Sequence, residues 1–188
     1  MWGKENSKYL GQCVSRIQNN EILTRDEAKQ TFLIILNKQS LVSDFYWGAL
    51  FSAIQTRGNN LSETMGFIDA ILEYDTNLKD AIENKTIINT NMPVVSITGS
   101  GKETFKTINI STAASIVASC CGVCVIKPGS SSTSAVSGAT DVLLEIGASI
   151  PKDLDEAKNC AEEIGLCFVD FSSIASNYAK RYDNMFYH

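Results

Sequence analysis

Through the N-terminal half of the chain, apolar residues return every three or four positions, the period that aligns one face of an α-helix. Leu10, Cys13, Val14 and Ile17 mark a first stripe. The next stretch, "TRDEAKQTFLIILNK", opens with Thr24 and Glu27 at capping-box spacing, where each side chain can satisfy an orphan amide of the first turn. Phe32, Leu33, Ile35 and Leu36 then follow on the helical period. "SDFYWGALFSAIQTRG" predicts a third helix that starts at Ser43 as its cap and stops at Gly58, since a left-handed C-terminal cap is easiest for glycine. "LSETMGFIDAILEYD", capped by Asn60 or Ser62, predicts a fourth. Four short amphipathic helices with brief connections make a small bundle over residues 1–85.

The pattern changes in "NKTIINTNMP", Asn84 to Pro93, where Asn and Thr cluster before a proline and mark a hinge or domain boundary. Beyond it the order becomes strand (Val94 to Thr98), glycine loop, helix (Ser111 to Cys121), strand (Val123 to Lys127), a loop of small residues and a helix near Thr140 to Ile146. "PKDLDEAKNCAEEIG" adds a helix with Asp153 and Glu156 as capping box and Gly165 as stop, followed by the strand "LCFVDF" and a final helical segment. Strands alternating with helices of this length predict βαβ units and a parallel sheet. The class is therefore α/β, a helical bundle at 1–85 followed by a truncated parallel-sheet domain at 92–188. A doubly wound domain usually carries about five or six strands, so a sheet of three has an outer strand without a neighbour. Either another chain caps that edge or the fold is a half.

Composition narrows the partners. A net charge of −5, with no basic run longer than two residues, leaves no electrostatic footprint for nucleic acid or an anionic membrane surface. No apolar run approaches the roughly 18 residues of a membrane span, and the N-terminus lacks a leader pattern, so the expected location is cytoplasmic. Six cysteines are present, with Cys121 and Cys124 in a CxxC, but no second pair stands at zinc-ligand spacing and the only histidine is His188. Buried, reduced thiols are the expectation for Cys13, Cys120, Cys121, Cys124, Cys160 and Cys167. A histidine-based catalytic triad would have to recruit the last residue of the chain.

The chemistry concentrates in two loops. "VVSITGSGKETF" resembles a phosphate-binding P-loop at Gly101 and Lys102, but Ser96 stands where the first glycine belongs and Glu103 where the magnesium-binding hydroxyl belongs. A second phosphate reading survives. The loop leaves a strand and enters a helix at "NIST", Asn109 to Thr112, so helix-start amides and hydroxyls gather at the carboxyl edge of the sheet. The second loop, "KPGSSSTSAVSG" from Lys127 to Gly138, leaves the next strand on the same edge with one cation and six hydroxyls. The competing account is two ordinary βα turns, in which Gly and Ser are common anyway.

"GSGKETFKTINIST" followed by "CGVCVIKPGSSSTSAVSGATDVLLEIG" resembles the anthranilate phosphoribosyltransferase family, whose signatures run GTGGD, NIST, and KHGNR through SSxSGxADxLxxLG. The helical opening is similar to that family's N-terminal domain, and the resemblance covers about the first half of a typical member. It implies transfer of phosphoribosyl from phosphoribosyl diphosphate to anthranilate or a related aromatic amine, with Mg2+, in tryptophan biosynthesis. It also implies a homodimer or a complementing polypeptide. By the same resemblance Gly99 and Gly101 match glycines of the first loop and Glu103 replaces its aspartate. Thr107, Asn109, Ser111 and Thr112 match phosphate- and diphosphate-contacting positions, with Ser111 also the magnesium ligand. Lys127 matches the lysine that meets the donor, Ser134 and Ser137 match later serines, and Gly138 and Asp141 match a turn and helix start. Lys102 stands in place of a loop glycine and is counted with the substrate-binding positions. Pro128, Ser130 and Ser131 replace His, Asn and Arg, and Ala139 replaces a donor-contacting serine. The family's Asp-Glu pair for magnesium has no counterpart in these residues. The competing function is a noncatalytic scaffold or regulatory homologue, with Trp47, Leu50 and Phe51 either closing the bundle core or forming its association surface.

Overall fold

The computed structural model describes residues 3–37, 41–83, 88–99, 108–130 and 138–186. The chain divides into two compact units, Met1–Lys79 and Asp80–His188. The first holds α1 (Lys4–Gln18), α2 (Arg25–Leu36), α3 (Leu41–Arg57) and α4 (Leu61–Tyr74), and α5 (Thr76–Glu83) runs across the division.

The expected capping box of α2 is complete. Thr24 Oγ1 accepts from the Glu27 N–H at 3.2 Å, and the Glu27 carboxylate accepts from the Thr24 N–H at 2.9 Å. Asn60 caps α4, accepting from the Ser62 N–H at 2.9 Å, and Gly58 follows α3 with φ +103°. Ser43 does not cap α3: the helix begins at Leu41, and Ser43 lies buried within its first turn. The bundle core closes on aromatic rings, with Phe32 5.2 Å from Trp47 and 5.1 Å from Phe67, and Trp47 5.6 Å from Phe51. Trp47 and Leu50 are buried within the unit, so these residues close the core of α3 against its neighbours.

α2 and α4 approach each other through Gly66. A Cβ built there would meet the Arg25 carbonyl oxygen, the Ala28 Cβ at 2.8 Å and the Lys29 nitrogen at 2.9 Å. Two of these three atoms are backbone and cannot turn aside as a flexible side chain would. Gly66→Ala is therefore expected to lower unfolding free energy by about 2–3 kcal/mol through overpacking, read as a lower midpoint in urea. A midpoint equal to wild type would contradict the close approach.

Glu27 also supports an acid-sensitivity prediction. Arg16 Nη1 donates to its carboxylate at 2.7 Å, and with the Thr24 N–H this holds the Glu27 carboxyl at about 2 against an ordinary 4.5. Because the folded value lies below the unfolded one, the stabilisation is complete above about pH 4.5 and is lost as pH falls toward about 2. The side chain is 33 % exposed, so solvent screens part of the effect. Glu27→Gln should show a shallower loss of stability than wild type across that window, followed by circular dichroism; parallel curves would refute it.

The second unit holds β1 (Val94–Ser96), α6 (Ile110–Cys120), β2 (Cys124–Gly129), α7 (Ala139–Glu145), α8 (Leu154–Ile164), β3 (Leu166–Asp170), α9 (Phe171–Ile174) and α10 (Ser176–Phe186). The sheet is parallel throughout in the order β1-β2-β3, with Val95 opposite Val125 and Lys127 opposite Phe168. β2 carries Pro128, which has no amide to donate. The Val125 N–H goes to Gly165 on the β3 side and the Cys124 N–H to Pro93 on the β1 side. By that alternation Pro128 falls on the β1 side, past Ser96, where the β1 ladder has ended. Asp153 caps α8, accepting from the Glu156 N–H at 2.9 Å, but the Glu156 side chain accepts from Lys152 instead of closing the box on Asp153. Gly165 ends α8 in the left-handed region at φ +69°.

Cys124, Ala157, Ala161, Cys167 and Val169 form the core of this unit, with Met92 and Ile126 against it. Burial pushes the Cys167 thiol up to about 12, so it stays a neutral apolar side chain at physiological pH. All six cysteines are free. Cys13, Cys124 and Cys167 are buried as expected, whereas Cys120 and Cys121 at the end of α6 are exposed, a correction to the reading of all six as buried.

Candidate functional site

The carboxyl ends of β1 and β2 and the start of α6 supply the residues singled out from sequence. Of these, Gly99, Asn109, Ser111, Thr112, Lys127, Ser130, Gly138 and Asp141 are described; Gly101, Lys102, Glu103, Thr107, Ser134 and Ser137 lie outside the described residues.

Asn109 is the N-cap residue of α6, yet its side chain caps no helix amide. Its Nδ2 instead donates to the Gly138 carbonyl at 3.5 Å, which joins the starts of α6 and α7. Gly138 is held from within α7, its N–H donating to Asp141 Oδ2 at 2.7 Å, so both residues serve the turn and the helix start. A Cβ on Gly99 would come 3.5 Å from Ser111 Oγ, so glycine keeps the space beside that hydroxyl open. Thr112 in the first turn of α6 is 3 % exposed, and its hydroxyl has no hydrogen-bond partner among the described residues. Buried hydroxyls are ordinarily paired, which sets this one apart.

Lys127 is the most informative side chain. It is 2 % exposed at the carboxyl end of β2, forms no ion pair or hydrogen bond among the described residues, and burial lowers its pKa below the ordinary lysine value. A cleft of about 180 Å³, including its open mouth, is lined by Lys127, Gly129, Thr140, Phe168 and Asp170. A buried cation with no ion-pair partner among the described residues attracts an anion, because taking it from water has already cost hydration free energy.

Two polar residues at this edge were missed from sequence. Thr140 Oγ1 donates to Asp170 Oδ2 at 3.0 Å, tying α7 to the end of β3. Asp170 Oδ1 in turn accepts from the Ser172 N–H at 2.8 Å and caps α9. The available signal was the acid that ends the β-run "LCFVD", at the edge where α/β sheets place their polar machinery. Ser130 contributes its backbone: its carbonyl accepts from the Thr140 N–H at 3.4 Å.

Among the described residues no three His, Cys, Asp or Glu side chains gather as a metal site. Ser111 offers one oxygen beside the space kept by Gly99. Magnesium in phosphate sites is ordinarily held by one or two carboxylates beside the phosphates, so Ser111 could supply at most one of its protein ligands.

A parallel sheet flanked by helices, with a buried lysine that has no ion-pair partner among the described residues at its carboxyl edge, defines an α/β domain. The model of the glycosyl transferase family, a/b domain, matches residues 91–187, and the chain belongs to that family. Its similar relatives are anthranilate phosphoribosyltransferases: 31% identity to that of Shewanella amazonensis, over 87% of this chain and 45% of the relative, and 30% to that of Haemophilus influenzae, over 94% and 47%. The chain thus spans about half the length of these relatives and corresponds to an N-terminal half. Among solved structures, the anthranilate phosphoribosyltransferase of Thermus thermophilus shares the fold with a TM-score of 0.63 at 22% identity, covering 89% of this chain and 50% of that one. The Saccharomyces cerevisiae protein, solved in complex with PRPP and Mg, gives 0.60 at 16% identity, covering 97% and 52%.

Proposed function

We propose that this chain binds phosphoribosyl diphosphate at the carboxyl edge of its sheet and serves phosphoribosyl transfer to anthranilate or a related aromatic amine. The observation that carries this is Lys127, buried without a counter-charge among the described residues at the strand end. Thr112 and Ser111 on α6, with Gly99 keeping the approach open, are assigned to the phosphate groups, and Ser111 to the magnesium that accompanies them. Gly101, Lys102, Glu103, Thr107 and Ser134 belong to the same assignment through the family resemblance. In the reaction the C1–O bond to diphosphate breaks, the C1–N bond to the acceptor amine forms, and the amine loses a proton. Magnesium, when bound, neutralises the leaving diphosphate. Lys127 and the first-turn groups of α6 orient the donor and stabilise the developing charge, which is most of what such a reaction requires of the protein. The proposed organisation assigns association to residues 1–85 and donor binding to 92–188, in a cytoplasmic homodimer or with a complementing polypeptide.

Calorimetric titration with phosphoribosyl diphosphate and magnesium tests this reading. Wild type should release heat, and Ser111→Ala should bind about ten-fold more weakly by losing one oxygen contact, about 1.4 kcal/mol. No heat with wild type would reject donor binding, and equal affinity in the variant would reject the Ser111 assignment. A noncatalytic scaffold or regulatory homologue is the second reading, favoured by Pro128, Ser130 and Ser131 in place of the family's His, Asn and Arg and by the absence of a metal-binding cluster among the described residues. It predicts donor binding with no turnover of anthranilate, even when a complementing half is supplied.

A further inference from the structure

β2 and β3 run side by side with Lys127 opposite Phe168 and Gly129 opposite Asp170. Side chains two apart on a strand share a face, so Lys127 and Asp170 stand on one side of the sheet at its carboxyl edge. The cleft agrees, since Lys127, Gly129 and Asp170 all line it. Two residues along a strand and one strand across separate the Cα atoms of Lys127 and Asp170 by about 8 Å, a span that a phosphorylated pentose can bridge between the two side chains. A Cβ on Gly129 would come 3.1 Å from the Ala139 Cβ and 3.8 Å from Thr140 Oγ1, so glycine keeps the floor between them free.

A carboxylate in this place is at odds with a pocket for phosphate alone. It repels phosphate, and its local bonds do not call for a charge. Oδ1 accepts from the Ser172 N–H and hydroxyl at the start of α9, and Oδ2 accepts from Thr140 Oγ1 at 3.0 Å. Asn or Ser caps a helix start as well as Asp does. A carboxylate offers about four acceptor positions, and these bonds use three, which leaves one on Oδ2 among the described residues. Asp170 is only partly buried, so that position is open to a ligand in the cleft.

We propose that Asp170 accepts hydrogen bonds from the ring hydroxyls of a pentose whose phosphate is drawn to Lys127, so that the cleft selects a sugar phosphate over bare diphosphate. An ionised acceptor makes short, strong bonds to hydroxyls, and dinucleotide-binding sheets use an acidic side chain in the same way to hold ribose. Diphosphate without the sugar meets the same negative charge and offers it no donor. The inference rests on the donor reading and deepens it, adding the group that recognises the sugar.

Calorimetry on the full chain compares phosphoribosyl diphosphate with inorganic diphosphate, each with magnesium. Asp170→Asn should bind phosphoribosyl diphosphate about ten-fold more weakly, and inorganic diphosphate as tightly as wild type or more so. Asp170→Ser keeps a capping hydroxyl and is the second variant, with the same selective loss expected and circular dichroism like that of wild type. Equal weakening of both ligands would make Asp170 a strut for α7 and α9 alone, and unchanged affinity for phosphoribosyl diphosphate would remove it from ligand binding; either result overturns the proposal while leaving the donor site. Wild type silent toward both ligands would overturn the donor reading itself, and the role of Asp170 with it.

Discussion

Lys127→Met is expected to weaken binding of phosphoribosyl diphosphate about 100-fold, roughly 2.8 kcal/mol, while leaving thermal stability unchanged or raised. The two signs follow from one cause. In the free protein the ammonium is buried with no counter-charge among the described residues, an arrangement that opposes folding. Methionine fills a similar volume without the charge, so the folded state loses a cost and keeps its packing. The donor, in contrast, loses the cation that compensates its phosphate. A lysine with no part in donor binding would leave the affinity unchanged, and that outcome would remove Lys127 from the site.

The same residue gives a signed pH dependence. Its folded pKa is lowered from 10.5 by burial, so at alkaline pH the unfolded chain binds the proton that the folded chain has released. Stability from this group therefore rises as pH climbs through the folded value toward 10.5. Lys127→Met should lack that rise in urea titrations across the alkaline range, and an identical slope in both proteins would contradict the assigned burial.

The largest expected stability effect lies in the helical unit. Arg57→Met should destabilise it by about 3–5 kcal/mol, because it strips the partner from Glu63, a carboxylate 1 % exposed. Arg57 donates to Glu63 through both terminal nitrogens, with Nη1 at 3.0 Å, and the Leu23 N–H donates to the same carboxylate at 2.9 Å. Arg57 Nη1 also donates to the Glu21 carbonyl, so the pair fastens the α1–α2 connection to the ends of α3 and α4. Arg57→Met with Glu63→Met should recover much of the loss, since no charge is then left buried. Additive losses in urea-unfolding cycles would show that the two residues act independently.

The helical ends were legible in the sequence wherever the group that ends a helix lies within a few residues of it. Thr24 with Glu27, Asn60 and Gly165 all act where the sequence places them, because capping is a contact between near neighbours. Ser43 failed as a cap because the helix already includes Leu41, which places Ser43 inside its first turn. α5 was missed because eight residues with few apolar positions give the period little to register. The exposure of Cys120 and Cys121 was illegible for a related reason. α6 has no charged residue to mark its outer side, so polarity did not distinguish the two faces.

By itself the sequence determined the helical opening, the alternation of strand and helix, the parallel class and the glycine and hydroxyl content of the loops. These follow from periodicities and turn chemistry that act over a few residues. Only the tertiary structure decided that Lys127 is enclosed without a counter-charge among the described residues and that Glu63 is buried against Arg57 and the Leu23 amide. It likewise decided that Thr140 meets Asp170 and that the residues of β1 are exposed. Each of those depends on which distant segments exclude water from a side chain, and no local period records that.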